Sequence, residues 1–149
     1  MFTIRPAISA DVPGILQLIG ELADYEKLRD QMVATGEQLA EHLFGPHPVA
    51  EVLIAEVGGE LAGFALYFKT FSTFVGKPGL YLEDLFVRPP FRRMGIGKSF
   101  FAELTKIVET RGYGRLEWSV LDWNKPALDF YETFGAHPMS EWTTMRLTR

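Results

Sequence analysis

The chain has no cysteine among its 149 residues, which excludes a disulfide framework, a thiolate nucleophile and a cysteine-ligated zinc site. No apolar run approaches the roughly 18–20 residues of a membrane span. Met1-Phe2-Thr3-Ile4-Arg5 lacks the basic and apolar regions of a secretory leader. Histidine is scarce: His42, His47 and His137 share no ligand spacing, so no metal is expected. Low-complexity tracts, long linkers and internal repeats are also missing, which leaves one compact domain over residues 1–149. What is present is ordinary for a globular chain, with 47% hydrophobic and 23% charged residues. The expectation is a soluble cytoplasmic protein with neither a membrane nor a nucleic-acid partner.

Positive charge is in deficit overall, with a net charge of −4. The imbalance is uneven. Residues 1–84 hold 5 basic and 12 acidic side chains, and residues 85–149 hold 10 and 7. An acidic half beside a basic half suits two ligands of opposite charge; uneven scatter of solvated charge explains it equally well.

Residues 2–5 read as a short strand. Ser9 or Asp11 is positioned to cap a helix whose apolar residues Val12, Ile15, Leu16, Ile19 and Leu22 recur at helical spacing, ending near Lys27. Thr35-Gly36-Glu37-Gln38 fits a capping box opening a short helix. Residues 49–57 and 61–70 flank Gly58-Gly59 as a hairpin, and residues 80–87 form the next strand, ended by Pro89-Pro90. A helix follows over residues 95–110, then a strand over 115–121, a helix over 126–134 and a last strand over 143–147. A meander followed by strand–helix–strand predicts an α/β fold, or α+β by a stricter count. It has a mixed, mostly antiparallel central sheet and helices on both faces.

Arg92-Arg93-Met94-Gly95-Ile96-Gly97 falls between a predicted strand and a predicted helix. Glycines there let backbone approach a ligand closely, and the first helical turn presents free N–H groups and a positive dipole end. The result is a phosphate cradle, reinforced by Arg92, Arg93 and Lys98. It is neither a P-loop nor the dinucleotide fingerprint, because the glycine spacing of both fails.

Arg-x-x-Gly-x-Gly after a Leu-Phe-Val-x-Pro strand end resembles the pyrophosphate-binding motif of the GNAT superfamily of N-acetyltransferases. The run from Asn124 through Phe130-Tyr131 to Gly135-Ala136 resembles that family's next motif. Several further segments are similar to the spermidine/spermine (diamine) acetyltransferases: Leu22-Ala23-Asp24-Tyr25-Glu26, Phe44-Gly45-Pro46-His47-Pro48, Gly76-Lys77, Tyr81-Leu82-Glu83-Asp84-Leu85-Phe86-Val87 and Trp123-Asn124-Lys125-Pro126. The likeness covers nearly the whole chain and departs after Ala136. It implies acetyl-CoA as co-substrate, held where the strands near residues 80–87 and 115–121 splay apart. It implies acetyl transfer to a primary amine, and a homodimer.

On that resemblance the pyrophosphate falls to Arg92, Arg93, Met94, Gly95, Ile96, Gly97 and Lys98. The pantetheine arm meets the backbone of Leu85, Phe86 and Val87, with Asn124, Pro126, Ala127 and Tyr131 steering it; Asn124 also suits a helix cap. Glu83 binds the amine and, through water, accepts its proton. Asp84 supports it electrostatically, and Tyr131 is the general acid for the leaving thiolate. Tyr25, Glu26, Glu117, Trp118 and Trp142 complete the amine pocket, where acids pair with a cation and aromatic faces attract it. Strand alternation expects Glu83 and Asp84 on opposite faces unless a bulge intervenes. With no cysteine for an acyl-enzyme, direct attack in a ternary complex is expected.

The expected acceptor is a polyamine or diamine. A thialysine- or lysine-like molecule, or another aminoalkyl compound, is the alternative, with Lys27 and Arg29 available for a carboxylate. A non-catalytic acyl-CoA-binding module is the reading from outside the enzymes.

Overall fold

A computed structural model of the chain describes residues 1–149. The residues fall into two compact units, Met1–Ser119 and Val120–Arg149. The first contains β1 (Thr3–Pro6), α1 (Val12–Tyr25), α2 (Gly36–Phe44), β2 (Glu51–Val57), β3 (Glu60–Ser72), β4 (Lys77–Val87), α3 (Ile96–Arg111) and β5 (Leu116–Trp118). Its five strands lie in the order β1-β2-β3-β4-β5. The first four pair antiparallel, while β4 and β5 run parallel. The expected mixed, mostly antiparallel sheet is present.

Alternation assigns the two faces. Val52, Ile54, Phe64 and Phe86 share one face and pack with Ile15, Leu18 and Leu22 of α1 and Leu43 of α2. Leu53, Ala55, Ala65 and Leu82, equally buried, point the other way. α3 contacts β4 and β5, with Phe100, Phe101 and Leu104 buried. Burying both faces explains why the strands read as near-continuous apolar runs.

Local chemistry sets the helix starts. At α2, the Gln38 N–H donates to Thr35 Oγ1 (3.2 Å) and the Thr35 N–H to Gln38 Oε1 (3.0 Å), closing the expected capping box. At α1, Asp11 makes no side-chain cap. Its carboxylate accepts from Arg5 Nη1 and Nη2 (2.8 and 2.9 Å) and from the Ile8 N–H (2.7 Å). The Arg5 hydrogen bonds hold its pKa below the ordinary value.

Two expected strands are corrected. The segment expected over residues 115–121 shortens to Leu116–Trp118, because its partners on β4 are only Leu80, Tyr81 and Leu82. β4 is irregular just beyond Leu82. In the second unit, α4 (Lys125–Glu132) is the only regular element, and residues 143–147 form no strand. Met145 and Leu147 are 85% and 79% exposed, so neither a ladder nor apolar burial offsets the entropy of ordering them. No helix of the chain is long and apolar enough to cross a membrane.

Candidate active site

The site begins with an irregularity in β4. Leu66 of β3 faces Asp84, yet its neighbour Tyr67 faces Leu82, so Glu83 is an extra residue in the ladder. Such a β-bulge breaks the period of two. Leu82 points to the α3 side, and Asp84 is in register with Leu66 on the α1 side. Glu83, next after Leu82, turns to the α1 side as well. Both acids therefore share one face, which the condition on strand alternation allowed for.

Glu26, at the C-cap of α1, joins them electrostatically. Burial, then the charge of Glu83, then that of Glu26 push the Asp84 pKa from 3.8 up to about 7. Glu26 is also raised, first by burial and then by Glu83. None of the three is paired with a lysine or arginine. The negative end of the α1 dipole adds to their repulsion. Three close carboxylate groups with no cation form a site that a protonated amine would relieve.

Past Leu82, β4 has no partner on the β5 side. The Arg88 N–H donates to the Ala62 carbonyl at 2.8 Å, so residue 88 faces β3. Backbone direction alternates along an antiparallel strand, which turns residues 86 and 84 toward β3 and residues 87 and 85 away. Leu85 and Val87 thus turn their peptide groups to the open side, where the Val87 carbonyl accepts from Arg92 Nε and the N–H groups face outward. The Phe86 backbone does not, because β3 engages it, and its side chain is buried among α1 residues. Gly63 makes this possible: a Cβ there would lie 2.4 Å from the Phe86 carbonyl oxygen.

The glycine turn follows directly. Gly95 is the N-cap of α3 at φ 91°, a left-handed conformation that suits glycine, with open space where a Cβ would point. The first helical bond runs from the Ser99 N–H to the Gly95 carbonyl at 3.0 Å. The N–H groups of Ile96, Gly97 and Lys98 therefore precede the ladder and are available to an anion. Ile96 buries its side chain, so it offers backbone only; Met94 is partly exposed, and Arg93 and Lys98 are exposed. Arg93 takes φ 67°, unusual for a residue with a Cβ. The Arg92 side chain leaves the turn: Nε donates to the Val87 carbonyl at 2.8 Å, and the guanidinium lies over the Tyr25 and Phe86 rings.

The remaining candidates separate. Trp118 packs its ring on Phe101 of α3, with centroids 4.9 Å apart, on the face opposite the acids. Glu117 pairs with Arg115 at 3.6 Å. Arg29 is joined to Asp24 at 3.2 Å and lies against Gly20 of α1. In the second unit, Asn124 is buried and caps α4, accepting from the Ala127 N–H at 3.3 Å; Pro126 occupies the first turn. Tyr131 lies beside Phe130, centroids 5.9 Å apart, and Trp142 is 73% exposed.

Sequence reasoning held the bulge at Glu83 only as a condition and gave no sign of the contacts Arg92 makes with Val87, Tyr25 and Phe86. Both depend on partners distant in the chain, and neither leaves a local signal.

The open β4 edge, the unpartnered N–H groups and the exposed cations of the turn fit a pantetheine amide and a pyrophosphate, the polar parts of acetyl-CoA. Comparison with known proteins agrees. The Acetyltransferase (GNAT) family profile matches residues 17–136. The thialysine N-epsilon-acetyltransferase of Sus scrofa is 38% identical over 146 residues, covering 93% of this chain and 85% of that one. The spermidine/spermine N(1)-acetyltransferase-like protein 1 of Homo sapiens is 36% identical over 158 residues, covering 99% of this chain and 23% of that one. Among solved structures, an integron cassette protein from the mobile metagenome of V. cholerae superposes with a TM-score of 0.82 at 26% identity, covering 99% of this chain and 93% of that one. The chain belongs to the GNAT acetyltransferase family and is an acyltransferase acting on amines.

Proposed function

We propose that this chain transfers the acetyl group of acetyl-CoA to a primary amine of a small aliphatic molecule, either a polyamine or diamine or a lysine-like compound, as a single domain over residues 1–149. One observation carries this reading: β4 holds the acids and the open peptide edge on consecutive residues, immediately before the glycine turn. An amine bound among Glu26, Glu83 and Asp84 would lie beside a thioester lodged along Leu85 and Val87.

Acetyl-CoA, when bound, supplies a thioester carbonyl open to attack by a neutral amine. An amine of pKa about 10.4 is protonated at pH 7, and neutralising it costs about 4.6 kcal/mol. Glu83 accepts that proton, directly or through water. Asp84 and Glu26 hold the cation in place beforehand. The outward N–H groups of Leu85 and Val87 face negative charge developing on the carbonyl oxygen. Ile96, Gly97 and Lys98 receive the pyrophosphate through backbone N–H groups, with Arg93 and Lys98 adding charge. Tyr131 holds the proton that the departing sulfur needs. A phenol near 10 giving its proton to a thiolate near 8.5 is uphill by about 2 kcal/mol, small enough for a concerted transfer.

The reading is tested with a panel of amines (spermidine, cadaverine, thialysine, lysine) and acetyl-CoA, following CoA release. Turnover of at least one supports it. Tight acetyl-CoA binding with no turnover of any amine would favour the non-catalytic module. A homodimer belongs to the same proposal, by resemblance, and a monomer by light scattering at micromolar concentration would remove that part.

A further inference from the structure

The proposed amine site is divided between two elements: Glu26 caps the end of α1, while Glu83 and Asp84 lie on β4. Its geometry therefore depends on how α1 is seated on the sheet. Ile15, Leu18 and Leu22 provide apolar contacts, which carry no direction of their own. Direction comes from Arg88, the residue after β4. Its Nε and Nη2 donate to Glu21 Oε1 and Oε2 of α1, both at 2.9 Å, and its Nη1 donates to the Leu61 carbonyl of β3 at 2.8 Å. The Arg88 N–H donates to the Ala62 carbonyl, also at 2.8 Å. One residue thus ties together α1, β3 and the end of β4. The ion pair is partly sheltered, with side-chain exposures of 22% and 33%, and its fork fixes orientation as well as distance. At the same corner Gly14 of α1 admits the Leu61 side chain, since a Cβ there would lie 2.2 Å from Leu61 Cδ1.

Glu21 stands one helical turn before Tyr25 and five residues before Glu26, which is about 7.5 Å along the axis at ~1.5 Å per residue. A slide or rotation of α1 at Glu21 therefore moves Glu26 relative to β4. We propose that Arg88 is a positioning residue for the amine site: it fixes α1 against the end of β4 and so sets how closely Glu26 approaches Glu83 and Asp84. This rests on the acid cluster being the amine site. The role has a sign of its own. Deleting a positive charge from this part of the molecule strengthens, through space, the attraction of an acidic site for a cation. Releasing α1 disperses the carboxylates and weakens it.

Steady-state rates are measured for wild type, Arg88→Met and Arg88→Lys with the fastest amine among spermidine, cadaverine, thialysine and lysine. Acetyl-CoA affinity is followed by calorimetry, and the melting temperature is recorded for each protein. In Arg88→Met the amine KM is expected to rise roughly tenfold, the scale of a slightly misplaced binding group, with kcat and acetyl-CoA affinity within about twofold. Arg88→Lys keeps the charge without the fork, and its KM should rise by an intermediate factor. Should Arg88→Met not fold, Arg88→Lys decides alone, because with the charge kept only a positioning role raises KM. A lower or unchanged amine KM overturns the assignment, whatever the melting temperature does. Equal losses of amine and acetyl-CoA affinity also overturn it, because Arg88 would then support the fold at large. A wild-type protein that binds acetyl-CoA yet acetylates none of these amines overturns the amine-site reading, and this assignment with it.

Discussion

In β3 and β4, Phe64, Ala65, Leu80 and Leu82 are at most 2% exposed, whereas between Val120 and Arg149 the single buried residue is Asn124. The first region carries the proposed amine and cofactor contacts on β4, which β3 pairs as far as Val87 and β5 only as far as Leu82. The second carries the proposed acid, Tyr131, on an eight-residue helix with no buried side chain. The contrast shows how geometry is guaranteed in each. The acids and the open edge cannot shift without disturbing the sheet, so changes there register as stability and binding. Tyr131 lies on a helix with no buried side chain, so its loss is expected to register more in turnover than in stability.

The sharpest way to break the contrast is Tyr131→Phe, which keeps the ring and deletes only the proton. Turnover is expected to fall by roughly 10²–10⁴, while stability changes by about 0.5 kcal/mol or less. Near wild-type turnover at neutral pH, or a large drop in melting temperature, breaks it.

On the sheet side, Asp84→Asn should act on stability. The folded pKa near 7 exceeds the ordinary 3.8, so between those values the folded state keeps a proton that the unfolded chain has released. Stability contributed by this group is therefore full below about pH 4 and falls as pH rises toward 7. It levels off above that, for a total loss of a few kcal/mol. Asparagine removes the dependence. The variant should be more stable than wild type at pH 8 and show a flatter melting-temperature profile between pH 4 and 7; parallel profiles would mean that Asp84 is not held neutral by its surroundings.

The turn sharpens the comparison further. A bulky residue at Gly95, where φ is 91°, strains the backbone by about 1–2 kcal/mol and misdirects the N–H groups behind it. Acetyl-CoA affinity measured by calorimetry should fall more in Gly95→Leu than in Arg92→Ala; the reverse order would mean side chains, not backbone, hold the pyrophosphate. Smallest is Arg93→Gly. Relieving φ 67° should stabilise the protein by ~0.5–1 kcal/mol in a chemical melt, partly offset by glycine's greater unfolded freedom.

The same two regions explain what was legible in the sequence. The Thr35 capping box, the α1 stripe and the Gly95 turn were readable, because each is decided by residues within a few positions of one another. The bulge at Glu83 was not, because it exists only in the register between β3 and β4. Nor was the end of β5, which depends on where β4 stops offering a partner. Alternating Thr143 to Leu147 looked like a strand by local propensity, yet its apolar residues are exposed and no ladder receives them. At the site, the glycine cradle could be read as a candidate from its own residues, while the role proposed for the acids came from the family resemblance. The contacts of Arg92 with the Val87 carbonyl and the Tyr25 and Phe86 rings could not be read, because those partners lie elsewhere in the chain.

The claim at the centre is that β4 delivers a carboxylate to the amine's proton, and the pH–rate profile of Glu83→Gln tests it most directly. With turnover of an accepted amine measured from pH 7 to pH 10.5, the defect should be largest at neutral pH. It should shrink as pH approaches the amine's own pKa, where the proton has already left. A defect of constant size across that range would contradict the account, because Glu83 would then serve binding alone.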